Sequence, residues 1–213
     1  MPSEIFRFAR ALALGAVASL TALAAAPASA AEYTIDGAHS RVGFGVRHMM
    51  VSTVKGQFKT FTGAVSIDEA DVTKSKITVS IDAASIDTNN EKRDGHLKGA
   101  DFLDVVKFPA ITFASTSVKK QGAKLIAVGD LTLHGVTKPV TLTVEGPSKE
   151  WTNPYGQVVR GAAAVGKLSR KDFGVAYGAV TEAGGIVIGD DVALEFDLEL
   201  TKAAAEAKPA EKK

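Results

Sequence analysis

A chain of 213 residues with 46% hydrophobic side chains and a mean hydropathy of +0.09 has the material for one packed domain, which excludes a disordered polyelectrolyte. Its 25 Lys and Arg stand against 24 Asp and Glu, and no cluster of cations interleaved with aromatics can be picked out, which argues against nucleic acid or another polyanion as partner. Cysteine is absent, so no disulfide staples the fold.

The first thirty residues read as an export signal. Arg7 and Arg10 form a positive start, 11–26 is an uncharged apolar run, and Ala28-Ser29-Ala30 is a small-residue cleavage site. The run is short and Ala-rich for a retained anchor, so no stable membrane insertion is expected. The two arginines are not adjacent, which disfavours the twin-arginine route. Cleavage after Ala30 removes Glu4, Arg7 and Arg10 and takes the formal net charge from +1 to zero. The expected organisation is a signal at 1–30, one domain at 31–202 and a low-complexity, disordered tail at 203–213.

From Tyr33 the hydrophobic period is two. Between His39 and Met50, one face carries Ser40, Val42, Phe44, Val46, His48 and Met50, and the other carries polar residues and the bare Gly43 and Gly45. Phe58 and Phe61 are an odd number apart, and a bulge near Lys59-Thr60 would turn both inward. Strands follow at 63–68 and 75–81, the latter with Ile77, Val79 and Ile81 on one face. The stretch 85–113 then interrupts the pattern. Thr88-Asn89-Asn90-Glu91 fits a capping box, which predicts a helix starting at Thr88. That helix gathers Arg93, Asp94 and His96, is weakened by Gly95 and Gly99, and runs into the apolar cluster Phe102, Leu103, Phe108 and Pro109. A short polar helix with an apolar skirt suits a lid, since long non-strand insertions in compact β domains are more often functional than ornamental. Strands resume at 110–119 and 124–133, His134-Gly135-Val136-Thr137 links to the alternating Val140, Leu142 and Val144, and a further strand runs over 157–168. In the last strand Val192, Leu194, Phe196, Leu198 and Leu200 alternate with Ala193, Glu195, Asp197 and Glu199.

About eight strands with hairpin-length connections describe an all-β domain. The acidic outer face of the final strand and the glycine-bearing strands favour an antiparallel eight-stranded barrel over a sandwich. Such a barrel can fill itself with side chains or hold one small ligand.

Catalytic signatures are missing: there is no G-x-S-x-G elbow, no H-E-x-x-H and no phosphate loop. The four histidines, His39, His48, His96 and His134, are the best material for a metal or acid–base site. His39 and His48, nine apart on one strand, would point to opposite faces and could not share a metal without a bulge.

Several runs together resemble the signature of the YceI family of periplasmic, lipocalin-like proteins. They are Arg93-Asp94-Gly95-His96-Leu97, Asp101-Phe102-Leu103-Asp104 and Lys107-Phe108-Pro109-Ala110-Ile111-Thr112-Phe113, with Asp36-Gly37-Ala38-His39-Ser40-Arg41 before them and Gly129-Asp130-Leu131-Thr132-Leu133-His134-Gly135 after. Arg170-Lys171-Asp172-Phe173-Gly174 is a further, weaker match. The resemblance implies a lipocalin-like barrel with a short helical lid that encloses a long-chain isoprenoid or similar lipid in the periplasm. No cofactor and no covalent chemistry are expected.

On that reading Val42, Phe44, Val46, Ile77, Val79 and Ile81 are wall candidates. Phe102, Phe108, Ile111 and Phe113 are candidates for wall or lid, and Arg93, His96 and Arg170 are candidates to meet a polar head. The alternatives are a metal- or histidine-dependent hydrolase, which needs two histidines to converge, and a filled barrel that binds a protein partner. A homodimer is compatible with each.

Overall fold

The computed structural model describes residues 30–178 and 187–203. The expected signal up to Ser29 and the expected tail from residue 204 lie outside the described residues. The period-two runs become strands, in chain order β1 (Ala31–Ile35), β2 (Arg41–His48), β3 (Ser52–Phe58), β4 (Phe61–Ile67), β5 (Lys76–Asp82), β6 (Ile86–Asp87), β7 (Ala110–Gln121), β8 (Lys124–Leu133), β9 (Val136–Glu145), β10 (Trp151–Thr152), β11 (Val158–Ser169) and β12 (Ile188–Lys202). One α-helix, α1 (Glu91–Lys98), stands between β6 and β7.

Pairing is antiparallel throughout. The order β11-β9-β8-β7-β5-β4-β1-β12 closes on itself because β11 also pairs with β12, from Val159↔Thr201 to Ser169↔Asp191. β2 continues the line of β1 alongside β12, β3 continues β4, and β6 continues β5. Counting each continuation with its parent gives an eight-stranded barrel in which each strand pairs with its neighbours in sequence, and β12 returns to the first.

Three neighbouring strands break at one level. Asp36–Ser40 separates β1 from β2, Lys59-Thr60 separates β3 from β4, and a 3-10 turn, Ala83–Ser85, separates β5 from β6. Hydrogen bonds run across the break, with the Lys59 N–H donating to the Ser85 carbonyl at 3.1 Å and the Asp82 N–H to the Thr60 carbonyl at 3.0 Å. The bulge expected at Lys59-Thr60 is therefore a full interruption shared by adjacent strands. It achieves the same inward turn, because Phe58 faces the interior and Phe61 is buried.

Two further expectations are corrected here. Met50 does not share the inward face of β2, because Met49 and Met50 adopt φ of 49° and 61° and form the tip of the β2–β3 hairpin. The helix does not start at Thr88. Its N-cap is Asn90, whose side chain accepts from the Arg93 N–H at 3.0 Å. Thr88 is not free to cap because its hydroxyl donates to the Asp94 carboxylate and accepts from Arg93 Nε at 2.7 Å.

Packing explains why the interior is hollow. Eight strands leave a lumen that ordinary side chains can just fill, but β11 presents Ala162, Ala164 and Gly166 opposite Leu198, Phe196 and Leu194 of β12. Small residues on one wall leave space beside large ones on the next. The buried apolar side chains divide into a cluster around Tyr33, Ile35, Phe61, Val65 and Leu200 and one around Phe113, Ala127, Val140, Leu142 and Phe173. The acidic face of β12 points outward, where Glu195 meets Lys55 at 3.4 Å and Arg41 at 3.8 Å.

The connections alternate between the ends of the barrel. The β2–β3 turn, the α1 segment, the His134-Gly135 turn and the β11–β12 connection all fall at one end, called here the mouth. Among the described residues, no helix is long and apolar enough to cross a membrane.

Candidate functional site

Beneath the mouth lies a cavity of about 680 Å³, within the ordinary range for small-molecule sites. Val42, Phe44 and Val46 of β2 line one side. Ile81, Ile111, Leu131, Leu133 and Leu168 continue the wall, and Leu194 and Phe196 of β12 complete it. A second cavity of about 130 Å³ lies deeper, against Ile77, Val79, Phe113, Ala162 and Ala164. Val42, Ile81, Leu131, Leu194 and Phe196 border both, so the two apolar chambers adjoin across those five side chains.

The polar groups gather at the mouth, where α1 lies over the opening with Arg93, His96 and Leu97 on its inner side. The helix end is locked by a small network. Asp94 accepts from the Thr88 N–H at 3.0 Å, and Arg93 donates from Nη2 to the Thr88 carbonyl at 2.8 Å. Arg93 Nη1 has no hydrogen-bond partner among the described residues. His96 Nε2 lies 2.9 Å from the Asp101 carboxylate. Its ring meets Phe102 and Tyr177 edge-on at 4.9 and 5.1 Å, and the last two are 4.9 Å apart. Three rings from the helix, the following loop and the β11–β12 connection thus close one side of the mouth.

Arg170 is 5% exposed and ties the segment after β11, at Val175 and Tyr177, to the start of β12. Its guanidinium donates to the carbonyls of Gly189 at 3.0 Å, Val175 at 2.8 Å, Tyr177 and Ile188, and to Asp190 at 3.0 Å. Those donors are satisfied by the protein itself. The guanidinium and Lys171 together hold the Asp190 carboxyl below the usual carboxylate range, Lys171 being the larger influence.

Nearly every sequence-predicted wall residue borders one of the two chambers, as do Arg93, His96 and Arg170. Phe108 does not. It meets the His134 ring edge-on at 4.6 Å and lies against Gly135, where the Phe108 ring leaves no room for a Cβ and the backbone φ is 74°. Sequence reasoning did not name Leu131, Leu133, Leu168, Leu194 and Phe196 as site residues, nor Leu97, Val175 and Tyr177 at the mouth. The apolar stretch Val175-Ala176-Tyr177 directly after the Phe173-Gly174 turn was the available signal for two of them.

The far end of the barrel is closed by polar contacts. Tyr33 donates to Glu150 at 2.7 Å beneath Arg160, and burial together with the Glu150 carboxylate raises its phenol pKa to about 12. Arg160 pairs with Glu69 at 2.7 Å. The histidines sit on separate elements. His39 is tied to Asp36 at 2.8 Å, His48 borders the upper chamber and His134 faces the Phe173 carbonyl at 3.3 Å. Among the described residues, the one group with three potential ligand side chains is Asp36, His39 and Glu199, which includes a single histidine.

A closed meander of eight strands around an apolar interior, with a helical lid at one end, is the architecture of lipocalin-like binding barrels. Residues 33–200 match the YceI-like domain, and the chain belongs to the YceI family. It is 46% identical over 150 residues to Protein YceI of Salmonella newport, covering 70% of this chain and 78% of that one. Among solved structures it resembles BcnA of Burkholderia cenocepacia, with a TM-score of 0.66 and 26% identity over 78% of this chain and 98% of that one. It shares the fold of a polyisoprenoid binding domain from Saccharophagus degradans implicated in plant cell wall breakdown. That likeness has a TM-score of 0.54 and 17% identity over 80% of this chain and 98% of the other.

Proposed function

We propose that the protein is exported to the periplasm and carries one long apolar lipid of the polyisoprenoid type in its barrel, without covalent chemistry. The observation that carries this reading is the pair of adjoining chambers, about 680 and 130 Å³, walled by Val, Ile, Leu and Phe. Such a wall gains about 25 cal/mol for each Å² of apolar ligand surface withdrawn from water. A slender branched chain fits both adjoining chambers, whereas a compact ring system would stop at the five side chains between them. The Saccharophagus domain that shares the fold is described as binding polyisoprenoids, which agrees with this class of ligand.

In the proposed complex the chain tail lies at Val79 and Phe113 and the head lies at the mouth. Arg93 Nη1 and His96 are the groups placed to meet the head. Arg170 contributes indirectly by fixing Val175 and Tyr177 in the wall. A filled barrel serving a protein partner would need a solid interior, and this one is hollow. The test is displacement of an apolar fluorophore from delipidated protein by prenyl alcohols of increasing length. Stoichiometric displacement that strengthens with chain length supports the carrier, and failure of every prenyl and acyl chain to displace the fluorophore overturns it.

A further inference from the structure

The tip of the β2–β3 hairpin breaks two local rules at once. Met49, Met50 and Val51 are 49%, 67% and 79% exposed, an unbroken apolar run in water. Met49 and Met50 also both hold φ in the left-handed region, where a hairpin of this kind favours Asn-Gly. Residues that are wrong for the solvent and wrong for the turn call for a use outside the fold.

The tip is held in place. Arg47 donates from Nη1 to Thr53 Oγ1 at 3.2 Å and from Nη2 to the Met50 carbonyl at 2.7 Å, and the Val51 N–H closes the turn on the His48 carbonyl at 3.1 Å. The Met49 N–H donates to the Val187 carbonyl at 2.8 Å, and Val187 borders the upper chamber. The apolar tip is thus anchored to the rim of the cavity. At the same end, Val106 in the loop after α1 is 90% exposed.

We propose that this end of the barrel docks on a lipid bilayer, with Met49, Met50, Val51 and Val106 entering the interfacial region so that the cavity mouth opens toward the lipids. The inference rests on the lipid-carrier reading and adds the surface from which the ligand is taken or to which it is delivered. A bilayer fits better than a protein because the apolar contact is a narrow protruding tip and one loop residue, far short of the roughly 800 Å² per partner of a stable protein interface. Unbranched methionines suit a fluid, irregular surface. Around the mouth Lys107 pairs with Asp104 at 2.8 Å and Lys171 with Asp190 at 2.8 Å, while Lys92 and Lys98 of α1 form no ion pair among the described residues. The insertion proposed here is that of the apolar side chains, so the part that apolar burial drives persists in high salt.

The chain offers its own controls. It has no cysteine, so single substitutions Met50→Cys and, separately, Val106→Cys place a polarity-sensitive dye at one position each. Its single tryptophan, Trp151, is 74% exposed on β10 at the opposite end and reports that end without any label. Mixed with vesicles of phosphatidylethanolamine and phosphatidylglycerol, both dyes are expected to shift to the blue and be quenched by brominated acyl chains, in low and high salt, while Trp151 emission stays unchanged. The double variant Met50→Asp, Val51→Asp is expected to slow transfer of a fluorescent prenyl probe out of vesicles by roughly tenfold, with the affinity for the same probe in solution retained. No dye shift with solution binding intact overturns the docking surface and leaves the carrier reading standing. A shift of Trp151 in place of the dyes, or a dye shift abolished by salt, overturns the proposal as well. Loss of solution binding in the unsubstituted protein defeats the carrier reading itself.

Discussion

A single buried guanidinium sets the order of the mouth. Arg170 gives donors to four backbone carbonyls and one carboxylate while 5% exposed, so its removal leaves several acceptors facing neither solvent nor a partner. Arg170→Leu is expected to lower stability by about 3 kcal/mol, read from the denaturant midpoint. Arg170→Lys should recover only part of it, because three donors on one nitrogen cannot reach carbonyls spread across a fork. At the other end Tyr33 gives a pH-dependent signature. The folded state holds the phenol proton up to about 12 while the unfolded chain releases it near 10.0. Between those values the folded state binds more protons, so stability falls as pH rises from 10 to 12. Tyr33→Phe should remove that part of the decline in alkaline unfolding curves, and an unchanged curve would show that the phenol does not couple to folding.

At the scale of elements, the lid is a short helix whose stability comes from its ends. No α1 residue is buried, so caps and the Thr88 network hold it in place of packing. Asn90→Ala should loosen the helix by about 1 kcal/mol, seen as faster hydrogen exchange at the Lys92–Asp94 amides with global unfolding little changed. The capping-box pattern at Thr88 pointed to the right helix but the wrong cap, since a four-residue pattern cannot reveal that Arg93 and Asp94 will both claim the threonine hydroxyl. The strands were legible wherever one face is apolar and the other polar, as in β12 and the Ile77–Ile81 run of β5. Where three strands break together at Asp36–Ser40, Lys59-Thr60 and Ala83–Ser85, the odd spacing of Phe58 and Phe61 marked the middle site as a bulge, but nothing local showed that its neighbours break with it, because the break is a property of neighbouring strands. Tyr177 was unreadable for the same kind of reason. Its contacts, His96 and Phe102, lie some eighty residues earlier in the chain.

For the whole molecule, alternation and glycine placement announced the barrel, but whether it was full or hollow could not be read from sequence. Inward Val, Ile and Phe look the same in a core and in a cavity wall; the difference lies in Ala162, Ala164 and Gly166 facing large residues across one pair of strands. The boundary between the chambers gives a length test. Leu131→Trp fills the point where they meet, so it should weaken binding of long prenyl chains by roughly tenfold or more and spare short chains that occupy the upper chamber alone. Equal losses for both would mean the deeper chamber takes no part in binding.

The central claim, that the barrel carries a lipid, is tested most directly by mass spectrometry of an organic extract from protein exported in its native compartment and purified without detergent. One long-chain isoprenoid or closely similar lipid per protein molecule is the expected result. An extract no richer in lipid than that of a control protein, repeated after mild delipidation and re-exposure to prenyl lipids, would contradict it.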